Sequence, residues 1–234
     1  MVVLGVIAVV LTRGNDASAG RPRVADQTSG TPGDHWHTFV GIDVCGEWLA
    51  NPPAFEKPTG APSTANNAGI HSHGDGLIHT HPFVSSEAGR NATIGKFFSY
   101  GGWGLSGSSI DAWAGPASKP TQKSWSNGDS CPFGRDKGKK IKMVWKVDGK
   151  TRQGNPADYH QQNGVILALY FVPKGAATPL PPTACKALQN IGDLSGGSSI
   201  DKHSPCVAST TTTTTTASTT TPPSTTTTPS TSSP

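Results

Sequence analysis

Six of the eight histidines fall in three His-x-His pairs: His35/His37, His71/His73 and His79/His81. In a strand, residues i and i+2 point to the same face, roughly 6.5–7 Å apart along the chain. Two imidazoles so placed can converge on one ion at a metal–nitrogen distance of about 2.0–2.1 Å. All six are therefore candidate metal ligands. Imidazole suits Zn, Cu, Ni and Fe. The chain has only two Met, and its cysteines are expected to be oxidised, which disfavours a soft Cu(I) site. The expected cofactor is Zn or Cu(II). Asp34, Asp43 and Asp75 are candidates to add an oxygen ligand or to orient a ring nitrogen. His160 and His203 stand apart.

The second and third pairs flank Gly74-Asp75-Gly76, a turn of residues that tolerate a left-handed backbone. A three-residue loop there sets His71 opposite His79, and the even register sum puts all four histidines on one face. A two- or four-residue loop would make the sum odd and split the pairs. Three-residue hairpin loops with Gly in the left-handed position are common, which favours the shared face.

These pairs need strands to hold them. Residues 35–45 alternate, with Trp36, Val40, Ile42 and Val44 on the face expected to pack on the core. His35, His37, Phe39, Asp43 and Cys45 fall on the other face of what reads as a half-buried strand. Residues 51–68 read as a loop, 69–73 and 77–83 as the hairpin. Residues 93–100 read as a short helix capped by Thr93 or Asn91, with Ile94, Phe97 and Phe98 on one side. Residues 140–147 alternate and end in Asp148-Gly149, a hairpin-type turn. Asn155-Pro156 opens a short helix. The unbroken apolar run 165–172 reads as a central strand buried on both faces. The expected fold is α+β, a mixed sheet with short helices, β-grasp-like in element order.

The ends differ from this core. Residues 2–12 form one apolar run, too short for a bilayer that needs about 20 residues. With Ala17-Ser18-Ala19 behind it, it reads as a secretory signal or short anchor over 1–19. Residues 20–33 read as a linker and 34–207 as the His-rich domain. Residues 208–234 are 15 Thr, 6 Ser, 4 Pro and 2 Ala, a composition that buries too little to fold and predicts a disordered tail, either a stalk or a spacer. Export implies an oxidising compartment, so the four cysteines are expected to pair, Cys45 with Cys131 and Cys185 with Cys206. The alternative role for Cys45 is a ligand beside His35 and His37. The net charge is only +4, which argues against nucleic acid as a partner. The run Arg135, Lys137, Lys139, Lys140 and Lys142 reads as a solvated strand edge.

The stretch His71-Ser72-His73-Gly74-Asp75-Gly76-Leu77-Ile78-His79-Thr80-His81-Pro82-Phe83, preceded by Asp34-His35-Trp36-His37 and Cys45-Gly46, resembles a group of uncharacterised exported proteins of actinobacteria. Residues 92–98 and 165–173 are also similar to that group, so the resemblance covers most of residues 34–183. It implies an extracytoplasmic domain with a His-lined site and no known activity. Other motifs fail. His79-Thr80-His81-Pro82 begins like a JAMM metalloprotease signature, but Arg90 and Thr93 stand where its Ser and Asp belong. At the Glu positions of a cupin site stand Leu77 and Ile78, or Ser85 and Ser86. The expectation is a secreted or envelope-associated protein that captures, buffers or transfers a metal ion. The competing expectations are a metalloenzyme with Glu47 or Glu87 as base, a cell-surface interaction module, and a metal-free pH sensor built from clustered imidazoles.

Overall fold

The apolar run near residue 165 forms strand β10 (Ile166–Pro173), buried at every position. Such a strand needs a neighbour on each edge and a layer on each face. A computed structural model describes residues 20–25, 33–113, 124–191 and 205–208, and in it β10 has both. Strand β1 (Trp36–Val44) lies parallel to it on one edge, and β8 (Ile141–Val147) antiparallel on the other. Beyond β1 come β4 (Leu77–Thr80) and β3 (Ile70–His71); beyond β8 comes β9 (Lys150–Arg152). The two-residue β2 (Glu47–Trp48) pairs with the C-terminal end of β1. The fold is thus α+β with a mixed sheet, and the order β4-β1-β10-β8 around a parallel central pair is β-grasp-like, as the element order predicted.

One face of this sheet carries Val40, Ile42 and Val44, which join a core with Ile94, Phe97 and Phe98. Those three come from helix α1 (Ile94–Tyr100), where Thr93 accepts a hydrogen bond from the Lys96 N–H and caps the first turn. Trp103, Trp113 and Trp125 complete that core. They belong to the Gly/Ser-rich region, which holds a second, unexpected small sheet of β5 (Gly104–Leu105), β6 (Ser109–Asp111) and β7 (Trp125–Ser126). Strands of two or three residues are too short to show a period.

The other face departs from expectation. Strand β1 is not half-buried: His37, Phe39 and Asp43 are as enclosed as the core side. Phe39 packs with Leu77 and Ile166 beneath helix α2 (Ala184–Gln189), against Ala184 and Leu188. Trp36 is the reverse case, only partly buried and outside the core, with Gly20 beside its ring. The helix α2 follows a Pro-rich approach whose polar composition hides its two apolar contacts.

Both expected disulfides are present. Cys45–Cys131 ties the end of β1 to the loop before β8, and Cys185–Cys206 ties α2 to the short helix α3 (Pro205–Ala208). Asp148 (φ 51°) and Gly149 (φ 76°) make the tight turn between β8 and β9. Lys139 of the basic run pairs with Asp136, and Lys140 donates to Ser130. Residues 20–25 of the expected linker lie against the domain: Arg23 donates to Asp34 through Nε and Nη2, and the Gly89 N–H reaches the Pro22 carbonyl. The signal segment 1–19 and the tail beyond Ala208 lie outside the described residues.

Gly76 bears most directly on the site. Its φ is +90°, and an added Cβ would sit 2.8 Å from the Phe39 ring. A Gly76→Ala substitution combines backbone strain with overpacking, so it is expected to cost on the order of 2 kcal/mol. Urea denaturation measures this; an unchanged midpoint would contradict the turn geometry.

Candidate metal centre

The register of three strands builds the site. His37 lies directly opposite His79 across β1 and β4, and His71 lies directly opposite His79 across β3 and β4. These three form a row on one face of the sheet. His35, His73 and His81 are each two residues from a member of the row, so the chain directs them to the same side. Ring centroids confirm the gathering: 4.6 Å for His35–His37, 4.7 Å for His37–His79, 4.1 Å for His73–His79 and 4.6 Å for His71–His81. Strand pairing ends at His71, so His73 already belongs to the turn and is half exposed.

The ring nitrogens are aimed as well as gathered. The Nδ1–H of His71 donates to the Ala68 carbonyl at 2.9 Å. A neutral imidazole that donates from Nδ1 carries its lone pair on Nε2. That Nε2 lies 3.1 Å from His73 Nε2 and 3.3 Å from His81 Nε2. Donors on a tetrahedral ion at about 2.0–2.1 Å stand about 3.3–3.4 Å from one another, so the His71–His73 spacing is close to that of a shared ion. Glu56 brings an oxygen 3.2 Å from His73 Nε2. Three groups of donor atoms lie within 4.8 Å of one another and could hold a metal: Glu56, His71 and His73; His73, Asp75 and His79; and His35, His37 and His79.

Among the aspartates, Asp75 meets the cluster. It accepts the Leu77 N–H at 2.9 Å with one oxygen and faces His79 Nε2 at 3.0 Å with the other, as an outer carboxylate that fixes the ring. Asp34 is occupied by Arg23. Asp43 is buried at the far end of β1, accepting the Gly46 N–H. Burial raises its pKa above the usual carboxylate range, against the lowering by that N–H. Cys45 is in a disulfide and is no ligand. Neither carboxylate nominated as a base belongs to a donor group. Glu47 sits on β2 at the opposite end of β1, and Glu87 is buried with its oxygens accepting the Gly69 and Phe83 N–H groups. His160 bridges to Thr93 outside the cluster, and His203 lies outside the described residues.

Glu56 was not anticipated. Its segment runs beside the end of β3 through hydrogen bonds from Phe55 N–H to Ser72 and from Ala68 N–H to Glu56. A single Glu in a loop of Pro, Asn and Thr carries no local signal of that return. Helix α2 was also not anticipated at the site. Its Lys186 and Asn190 face His73, Asp75 and His79 across a cleft of about 460 Å³.

Burial decides the charge state of the rings. It lowers the pKa of His71, against the opposing pull of the Ala68 carbonyl and Glu56. It pushes His81 down to about 4, reinforced by repulsion from His71, His35, His79 and His73. For Asp75 burial acts upward, but the His79 ring and the Leu77 N–H outweigh it and hold the carboxyl below its ordinary value. At neutral pH His71 and His81 are thus uncharged, the form that binds metals. No protein-family model, curated protein or solved structure matches this chain.

In the metal-free protein, the His81 ring proton seen by NMR is expected to titrate near pH 4 rather than near the ordinary value of about 6.5. Between those two values the unfolded chain binds more protons at this residue, so its contribution to stability is lost as pH falls from about 6.5 to about 4. An ordinary titration midpoint for His81 would contradict the packed cluster.

Proposed function

We propose that this protein is an exported, non-enzymatic domain that binds Zn(II) or Cu(II) through its histidine face and captures, buffers or passes on the ion. The observation that carries this reading is the gathering of donor atoms on the histidine face into groups within 4.8 Å of one another, among them Glu56, His71 and His73, where the two Nε2 atoms stand 3.1 Å apart. A merely polar surface has no reason to bury His71 with its free ring nitrogen turned toward another imidazole, because that nitrogen forgoes water. Glu56 supplies an oxygen donor at the open side.

Export is supported by the apolar N-terminal run and by two disulfides, which persist in oxidising compartments. Among the described residues, no helix is long and apolar enough to cross a membrane. On this reading the Thr/Ser/Pro tail is a spacer at the cell envelope, and the domain stands with the exported actinobacterial proteins that its motif resembles. Capture and release suit a site whose ligands are backed by a cleft and whose affinity falls when protons compete for imidazole.

Titration calorimetry of the metal-free protein with Zn(II) and Cu(II) at pH 7 tests the proposal. Wild type is expected to bind, a His71→Ala/His81→Ala variant to bind at least about tenfold more weakly, and both to weaken toward pH 5. Equal affinity in the variant would remove the histidines from the site and favour the interaction-module reading.

A further inference from the structure

The donor groups on the face overlap in an informative way. The set Glu56, His71 and His73 shares no residue with the set His35, His37 and His79. The third set, His73, Asp75 and His79, takes one histidine from each. His81 Nε2 lies 3.3 Å from His71 Nε2 and borders the first set without belonging to any of the three. Six imidazoles exceed what one four-coordinate ion can use. Extra rings do not come free either, since His37, His71 and His79 are all buried.

Resting on the metal-binding reading, we infer that the face holds two ions side by side: one at Glu56, His71 and His73, the other at His35, His37 and His79. Asp75 is the hinge between them. It accepts from His79 Nε2, which leaves the lone pair of the neutral ring on Nδ1. His79 then serves the second ion through Nδ1 while Asp75 fixes its plane. Competition from the third set is avoided, because its Asp75 and His79 are held by each other.

The spacing of the pair follows from the sheet. His37 and His71 flank His79 on adjacent strands, and strands stand about 4.7–4.9 Å apart, so the two ions lie within about 10 Å. Each set keeps a separate route to solvent chemistry. The first has the exposed Glu56 and His73; the second has His35 at the edge before β1. Two ions of unequal exposure fit a domain that takes up an ion at one position and retains one at the other.

Native mass spectrometry of the full, disulfide-intact chain titrated with Zn(II) counts the ions, and electron paramagnetic resonance of the chain loaded with Cu(II) reports whether they are neighbours. The expected result is two ions per chain, with dipolar broadening and a half-field signal at two equivalents of Cu(II). His35→Ala and His73→Ala, both at accessible positions, are each expected to weaken one of the two binding steps by about tenfold and spare the other. A single ion at saturation overturns this inference and leaves the metal-binding reading standing. Two ions without magnetic coupling also overturn it. No bound ion overturns both. The wild-type count and spectrum decide the matter even if a variant fails to fold.

Discussion

The antiparallel pairing of β4 with β1 on one side and β3 on the other is the constraint from which the site follows. It aligns His37, His79 and His71 in a single row and sends their i+2 and i−2 partners to the same face. A slip of one residue in either pairing would turn one of the three imidazole pairs to the side opposite the other two. The turn Gly74–Gly76 fixes one register. Both its glycines have positive φ, and the Asp75 carboxylate binds the Leu77 N–H at the start of β4 and the His79 ring two residues on. The same side chain that closes the turn therefore orients the His79 ring.

The rest of the fold can be understood as support for that face. The core on the α1 side makes the sheet rigid. On the histidine side, Phe39, Leu77 and Ile166 form an apolar floor beside the imidazoles, and α2 covers it. Because α2 lies over this floor, it also forms the wall of the cleft, and the Cys185–Cys206 bond anchors that wall. On β3, burial lowers the basicity of His71, and the hydrogen bond from its Nδ1 leaves its Nε2 available. Burial and the Ala68 carbonyl pull in opposite directions on protonation, and the carbonyl alone sets the tautomer that leaves the lone pair on Nε2.

Much of this is legible in the sequence because it depends on short-range parity. The i+2 spacing of the histidine pairs, the three-residue turn, the Thr93 cap and the unbroken apolar run of β10 each state a local rule, and the described structure follows them. What escapes the sequence is long-range coverage. Phe39 shares the histidine face of β1, yet only the return of α2 more than 140 residues later buries it, so the strand reads as half-exposed. Glu56 reaches His73 because its loop runs along the end of β3, a contact that no spacing encodes. The carboxylates chosen from sequence proximity divide for the same reason. Asp75 is held by its own turn, whereas Asp34 and Asp43 are claimed by Arg23 and Gly46.

The claim at the centre of this account is that imidazole nitrogens, not sulfur or water alone, hold the ion. X-ray absorption at the zinc edge of the Zn(II)-loaded protein tests it most directly. The account predicts a first shell of nitrogen and oxygen at about 2.0–2.1 Å with the outer-shell scattering of imidazole rings. A shell without imidazole scattering, or one containing sulfur at about 2.3 Å, would contradict it.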